Sequence, residues 1–107
     1  MSKITLKYSG KEYSLEYSRQ SVRTIESQGF VAEQLSAKPM TMIPILFQGA
    51  FLKNHKGIKR NLIDEIYEGI SDKTALIVAL ADMYTETVGA LLEDREEEGN
   101  VSWAVTK

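Results

Sequence analysis

No cysteine occurs among the 107 residues. That excludes disulfide staples, a thiolate nucleophile and any cysteine-held zinc, so packing alone must hold the fold. There is one histidine, His55, so a Ser-His-Asp triad has a single candidate base and a metal cage lacks its commonest ligand. No apolar run reaches the ~18 residues of a membrane-spanning helix. The first residues, Met-Ser-Lys-Ile-Thr, lack the long apolar block of a secretory signal, and the expectation is a cytoplasmic protein. Glycine is scarce and scattered. Gly49, Gly57, Gly69 and Gly89 stand singly, so no phosphate-cradling loop is formed, and Gly57 reads as a helix stop. Neither an internal repeat nor a low-complexity tract is present.

What remains is 43% apolar and 26% charged, a balance suited to one globular domain that buries roughly two-thirds of its extended surface. The net charge of −2 conceals an asymmetry. Residues 1–60 carry ten Lys/Arg against four Asp/Glu, and residues 61–107 carry three against eleven. Halves of +6 and −8 would orient the molecule on a partner, or stack copies head to tail in a contact that salt weakens; a solvated surface with uneven charge is the plainer alternative.

The longest periodic segment runs from Ser71 to Asp94. Leu76, Leu80, Met83, Thr87 and Leu91 form one ridge at helical spacing, with Ile77, Tyr84, Val88 and Leu92 beside it. Ser71 or Asp72 serves as N-cap, and this helix is expected to organise the rest.

Before it, residues 3–17 alternate with period two: Ile4, Leu6, Tyr8, Tyr13, Leu15 and Tyr17 face one way. This is a β-hairpin. A two-residue Ser9-Gly10 turn would pair Leu6 with Tyr13, Lys7 with Glu12 and Lys3 with Glu16, whereas a four-residue loop would pair Leu6 with Leu15; both keep the apolar face intact. Ser18 then caps a short helix, Arg19 to Gln28, closed by Gly29 in a left-handed conformation and anchored by Phe30. A further helical turn follows through Val31 and Leu35, ended by Lys38-Pro39. Thr41 begins a core helix with Pro44 in its first turn, continuing through Lys53. Asn54 to Gly57 breaks it, and Ile58, Leu62, Ile66 and Ile70 define the next helix, ending near Gly69.

The fold class is therefore α+β and mostly α: an N-terminal β-hairpin packed on a bundle of about four helices. One domain spans residues 1–94, and residues 95–107 form an acidic linker and tail. In that tail Val101, Trp103 and Val105 alternate like a short strand. It is either a frayed end or a segment that adds to a sheet edge, of its own hairpin or of a partner, with Trp103 as anchor.

Candidate chemistry is sparse. His55 sits between lysines and is expected to face solvent. Asp64, Glu65 and Glu68 read as a solvated helix face, since no histidine ligand lies near them. No catalytic residue, cofactor or metal is expected, and the protein is not expected to be an enzyme. Lys53, Lys56, Lys59 and Arg60 form a basic turn between two helices, like a helix-turn-helix, but the second helix would carry Asp64, Glu65 and Glu68 towards the phosphates. A small nucleic-acid-binding regulator using that turn is the alternative reading.

The order of elements carries a resemblance. A hairpin, a short helix closed by Gly29-Phe30, the run Ile45-Leu46-Phe47-Gln48-Gly49-Ala50-Phe51, a helix over Ile58 to Ile70 and a long helix with Leu80 and Met83-Tyr84 together resemble the small tail assembly chaperones of long-tailed bacteriophages, over roughly residues 3–94. The resemblance implies a non-enzymatic protein of the infected host's cytoplasm, which coats the tape measure protein and recruits tail tube subunits to it. It also implies a longer frameshifted form in several such families, for which Arg95 to Asn100 would suit a junction. A chaperone of helical, self-associating segments needs an adaptable apolar surface. The candidate partner-binding residues are Met40 and Met42, then Met83, Tyr84, Val88 and Leu91 on the last helix, with Trp103 in the tail; for the methionines and the helix stripe, packing in the chain's own core is the alternative.

Overall fold

The computed structural model describes residues 3–93, 101 and 103–106. Two antiparallel strands, β1 (Ile4–Tyr8) and β2 (Lys11–Leu15), lead into α1 (Arg19–Ser27), a single 3-10 turn (Ala32–Gln34), α2 (Pro39–Gly49), α3 (Arg60–Glu68) and α4 (Lys73–Ala90). The class is mostly helical α+β, a hairpin followed by four α-helices in contact.

The turn chemistry decides the hairpin register. Ser9 and Gly10 both take positive φ, +50° and +79°, the signature of the two-residue turn whose twist matches the flanking strands. Leu6 therefore faces Tyr13, and Lys7 faces Glu12. Helix α1 starts with a capping box, in which the Ser18 hydroxyl accepts from the Ser21 N–H and the Ser21 hydroxyl accepts from the Ser18 N–H. It ends at Gly29, φ +100°, where the Phe30 N–H reaches back to the Ile25 carbonyl at 3.0 Å and the Gly29 N–H to that of Glu26. Phe30 and Ile25, both buried, supply the apolar contact that accompanies this C-terminal motif.

Three helix boundaries differ from the periodicity. Helix α2 begins at Pro39, whose fixed φ suits the first helical position, which leaves Pro44 inside the helix with no N–H to give to the Met40 carbonyl. It also stops at Gly49, and residues 50–55 continue as tightened turns, with Phe51 N–H bonded to Gln48 and Leu52 to Gly49. Helix α3 begins only at Arg60, one residue after its N-cap Lys59. Asp72, rather than Ser71, caps α4 by accepting from the Ala75 N–H.

The organising element is α2, not α4. Helices α1, α3 and α4 and the 3-10 turn all pack on it, and its end supplies Leu46, Phe47, Ala50 and Phe51, each at most 2% exposed. Helix α4 buries only Leu80, Met83 and Tyr84, and its stripe runs out of partners: Val88, Leu91 and Leu92 are exposed. The reason is geometric, since α1 is nine residues long against eighteen for α4 and cannot cover its length. The hairpin leans on the same region. Leu6, Tyr13, Leu15 and Tyr17 close over it, the Glu16 N–H donates to the Ala50 carbonyl at 3.1 Å, and the buried Tyr17 hydroxyl donates to the Leu46 carbonyl at 2.7 Å.

Residues 101 and 103–106 belong to no strand, and Val101, Trp103 and Val105 are exposed, so the tail does not add to the edge of its own hairpin. The outer edge of β2 is already taken at Ser14 and Glu16 by residues that follow α2. The end of the α4 pattern at Asp94 and the acidic linker Arg95 to Asn100 lie outside the described residues.

Helices α1 and α2 cross at Gly49, where an added Cβ would overlap the Cγ2 of Ile25. Alanine ordinarily gains ~1 kcal/mol over glycine in a helix, but overpacking a filled core costs ~1–3 kcal/mol. Gly49→Ala is expected to lower the urea midpoint, and Ile25→Ala in the same chain to recover part of that loss as a non-additive term in a double-mutant cycle.

Candidate partner-binding surfaces

Helices α2 and α3 lie side by side and leave an open groove of about 400 Å³ on the outer side of their seam. Its α2 wall is Pro39, Met40, Ile43, Pro44, Phe47 and Gln48; its α3 wall is Asp64, Tyr67 and Glu68. Met40, Ile43 and Phe47 recur at i, i+3 and i+7, so they share one helical face. Phe47 is the buried floor, Ile43 is half-buried, and Met40 stands at the rim 90% exposed.

Aromatic packing holds the floor in place. Rings meet edge to face from Tyr13 to Phe51 (5.9 Å), Phe51 to Phe47 (5.1 Å) and Phe47 to Tyr67 (5.3 Å), an arrangement that favours the electropositive edge of one ring on the face of the next. Lys73 Nζ lies 5.5 Å from the centre of Tyr67 and donates to the carbonyls of Glu68 and Ile70. A cation is favoured there, at the negative end of the α3 helix dipole.

The second apolar surface is the uncovered end of α4. Val88 lies between two shallow clefts, one lined by Arg19, Val22, Arg23, Glu26, Thr87 and Leu91, the other by Glu26, Phe30, Val31, Glu33, Tyr84 and Thr85. Of the candidates from sequence, Met40, Val88, Leu91 and Trp103 are exposed, at 90%, 38%, 58% and 84%. Met42, Met83 and Tyr84 are corrected to core residues. Met42 is buried, with its Sδ accepting the Val31 N–H at 3.3 Å, and so ties the chain after α1 onto α2. Tyr84 packs on Phe30 and Tyr17 and donates to Glu26; burial, then that carboxylate, pushes its hydroxyl up to about 12. Sequence pointed to Met42 and Met83 because flexible apolar side chains suit partners and cores equally. It passed over Pro39, Ile43 and Tyr67, whose joint exposure depends on how two helices pack.

His55 is not solvent-facing. Half-buried, it stacks edge-on against Tyr13 and Phe51, and its Nε2 accepts the Ser14 N–H at 2.9 Å, which requires the proton on Nδ1. Asn54 donates to the Ser14 carbonyl and to Glu16, and Lys53 bonds Glu16 at 2.8 Å, while Lys3, expected opposite Glu16 across the hairpin, adds a weaker electrostatic attraction. These bonds, the one to Lys53 foremost, hold the Glu16 carboxyl below its ordinary range. Lys53 is thus engaged, while Lys56, Lys59 and Arg60 are exposed. Among the described residues no three His, Asp or Glu side chains converge as a metal site, and no helix is long and apolar enough to cross a membrane.

Fold and surface together define a small, mostly helical α+β domain whose described residues present an apolar two-helix groove and an uncovered helix end. The chain belongs to the family described as Domain of unknown function (DUF5055), which matches residues 1–106. No curated protein and no solved structure matches it.

Two outcomes test the clamp around Ser14 and Glu16. His55→Ala leaves the Ser14 N–H without its acceptor and removes two ring contacts, for an expected loss of ~1–3 kcal/mol in urea unfolding. A carboxyl with a depressed folded value stabilises above its unfolded value and loses that contribution as pH falls through the folded one. The stability gap between wild type and Glu16→Gln is therefore expected to be full at neutral pH and to close on acidification below the ordinary value of 4.5; a gap unchanged by acid would refute the pairing.

Proposed function

We propose that this protein is a tail assembly chaperone of the kind made by long-tailed bacteriophages: a non-enzymatic protein of the host cytoplasm that grips helical segments of the tape measure protein and brings tail tube subunits to them. The observation that carries the reading is the α2–α3 groove, a largely apolar trough with Met40 almost fully exposed at its rim. The resemblance of the element order, hairpin, short helix, Ile45–Phe51 run and two further helices, supports it from sequence.

The physical task fits the surface. Amphipathic helices of a long fibrous protein aggregate through their apolar stripes unless something else covers them, and a groove between two helices covers such a stripe. An unbranched methionine at its edge adapts to side chains of different shape. The nucleic-acid alternative draws less support: Lys53 is held by Glu16, and Asp64 and Glu65 are exposed within about one turn of the start of α3.

Co-expression with a tape measure fragment is expected to keep the fragment soluble and co-eluting with this protein, and Met40→Glu, at a position 90% exposed, is expected to weaken capture by about tenfold or more. A fragment that precipitates alike with and without the chaperone, or salt-sensitive micromolar binding of duplex DNA in a filter assay, would overturn the reading.

A further inference from the structure

The groove has a sign as well as a shape. One flank is apolar along α2, from Met40 through Ile43 to Phe47. The other carries Asp64 and Glu68, both exposed, four residues apart and therefore one turn apart along α3, on either side of Tyr67. Among the described residues no lysine or arginine lines the groove. Lys73, which lies near Tyr67, is held by the carbonyls of Glu68 and Ile70.

From this we infer that the groove takes one kind of occupant: an amphipathic helix of a partner protein whose apolar stripe is flanked on one side by Lys or Arg one turn apart. The inference rests on the reading of the groove as the gripping surface. A helix is the shape that completes the seam, because α2 offers an apolar row at i, i+3 and i+7, Met40, Ile43 and Phe47, beside Tyr67 of α3, and the furrow between two neighbouring helices takes the ridge of a third. The cations follow from charge complementarity. A stripe flanked by acids would bring like charges against Asp64 and Glu68 as the groove is dried, which costs affinity, whereas Lys or Arg at that edge meets both carboxylates in succession. Pro39 and Pro44 are exposed on the α2 wall and keep that flank free of charge.

The test uses the full chain and two designed helical peptides of about 18 residues, identical in a leucine stripe and differing only in whether one flank is Lys or Glu. Binding is read by fluorescence anisotropy at low ionic strength. The Lys-flanked peptide is expected to bind about tenfold or more tightly than the Glu-flanked one, and added salt to narrow the difference. In Asp64→Lys/Glu68→Lys the preference is expected to invert, while Met40→Glu weakens the leucine-stripe contact; circular dichroism checks that both variants fold. Equal binding of the two peptides, no binding of either, or a preference that survives the charge reversal would overturn the inference. So would a wild-type dimer in sedimentation that Met40→Glu turns into a monomer, since the occupant would then be a second copy. Failure here is distinguishable from failure of the functional reading: Met40-dependent capture of a tape measure fragment without any peptide preference refutes the charge rule alone.

Discussion

A two-stranded hairpin is marginal in water, and this one survives because it is bonded to the end of one helix. The Glu16 N–H reaches the Ala50 carbonyl, the Tyr17 hydroxyl reaches that of Leu46, and Ser14 is held on both its N–H and its carbonyl by His55 and Asn54. Burial makes the Tyr17 bond matter most, since an unpaired polar group there would forfeit its water without replacement. Burial also keeps the Tyr17 hydroxyl protonated far above the usual tyrosine range, so it remains a donor throughout ordinary conditions. The fold is thus built outward from Leu46 to His55, with α1, α3 and α4 packed around the helix that precedes that turn.

The groove is a consequence of the same arrangement. Phe47 is fixed from one side by Phe51 and from the other by Tyr67, and through Phe51 the chain of rings runs back to Tyr13 on the hairpin. A floor held this way does not collapse to cover the rim, so Met40 stays out in solvent while its neighbour Met42, two residues on and facing the opposite way, is sealed into the core. Gly49 lets α1 approach α2 closely at the helix's other end, where a side chain would meet Ile25.

Much of this was legible in the residues. The alternation of Ile4 to Tyr17, Ser18 as cap, Gly29-Phe30 as stop and anchor, and the apolar spacing through Leu46, Phe47, Ala50 and Phe51 all speak through local rules with a period or a φ requirement, and local rules act wherever the chain lies. The misreadings share a different cause. His55 looked like a loop side chain because its neighbours in sequence are lysines, yet its real neighbours are Tyr13, Ser14 and Phe51, the first two about forty residues away. Helix α4 looked central because its stripe is the longest, but stripe length says nothing of how much partner surface exists to meet it. Met42, Met83 and Tyr84 suit gripping and core packing equally in sequence, because apolar side chains look the same in a list whether a neighbour covers them or not.

By itself the amino-acid order determined the inventory and the handedness of each piece: which segments coil, where they start and stop, which face of each is apolar, and, through Ser9-Gly10, a turn able to hold two registers of which φ selected one. Only the tertiary structure decided which apolar faces meet. That choice depends on distances between residues far apart along the chain, such as Tyr13 with His55 and Met42 with Val31, and on the mismatch between a short α1 and a long α4. No periodicity encodes those quantities, because they belong to pairs of elements and not to any one of them.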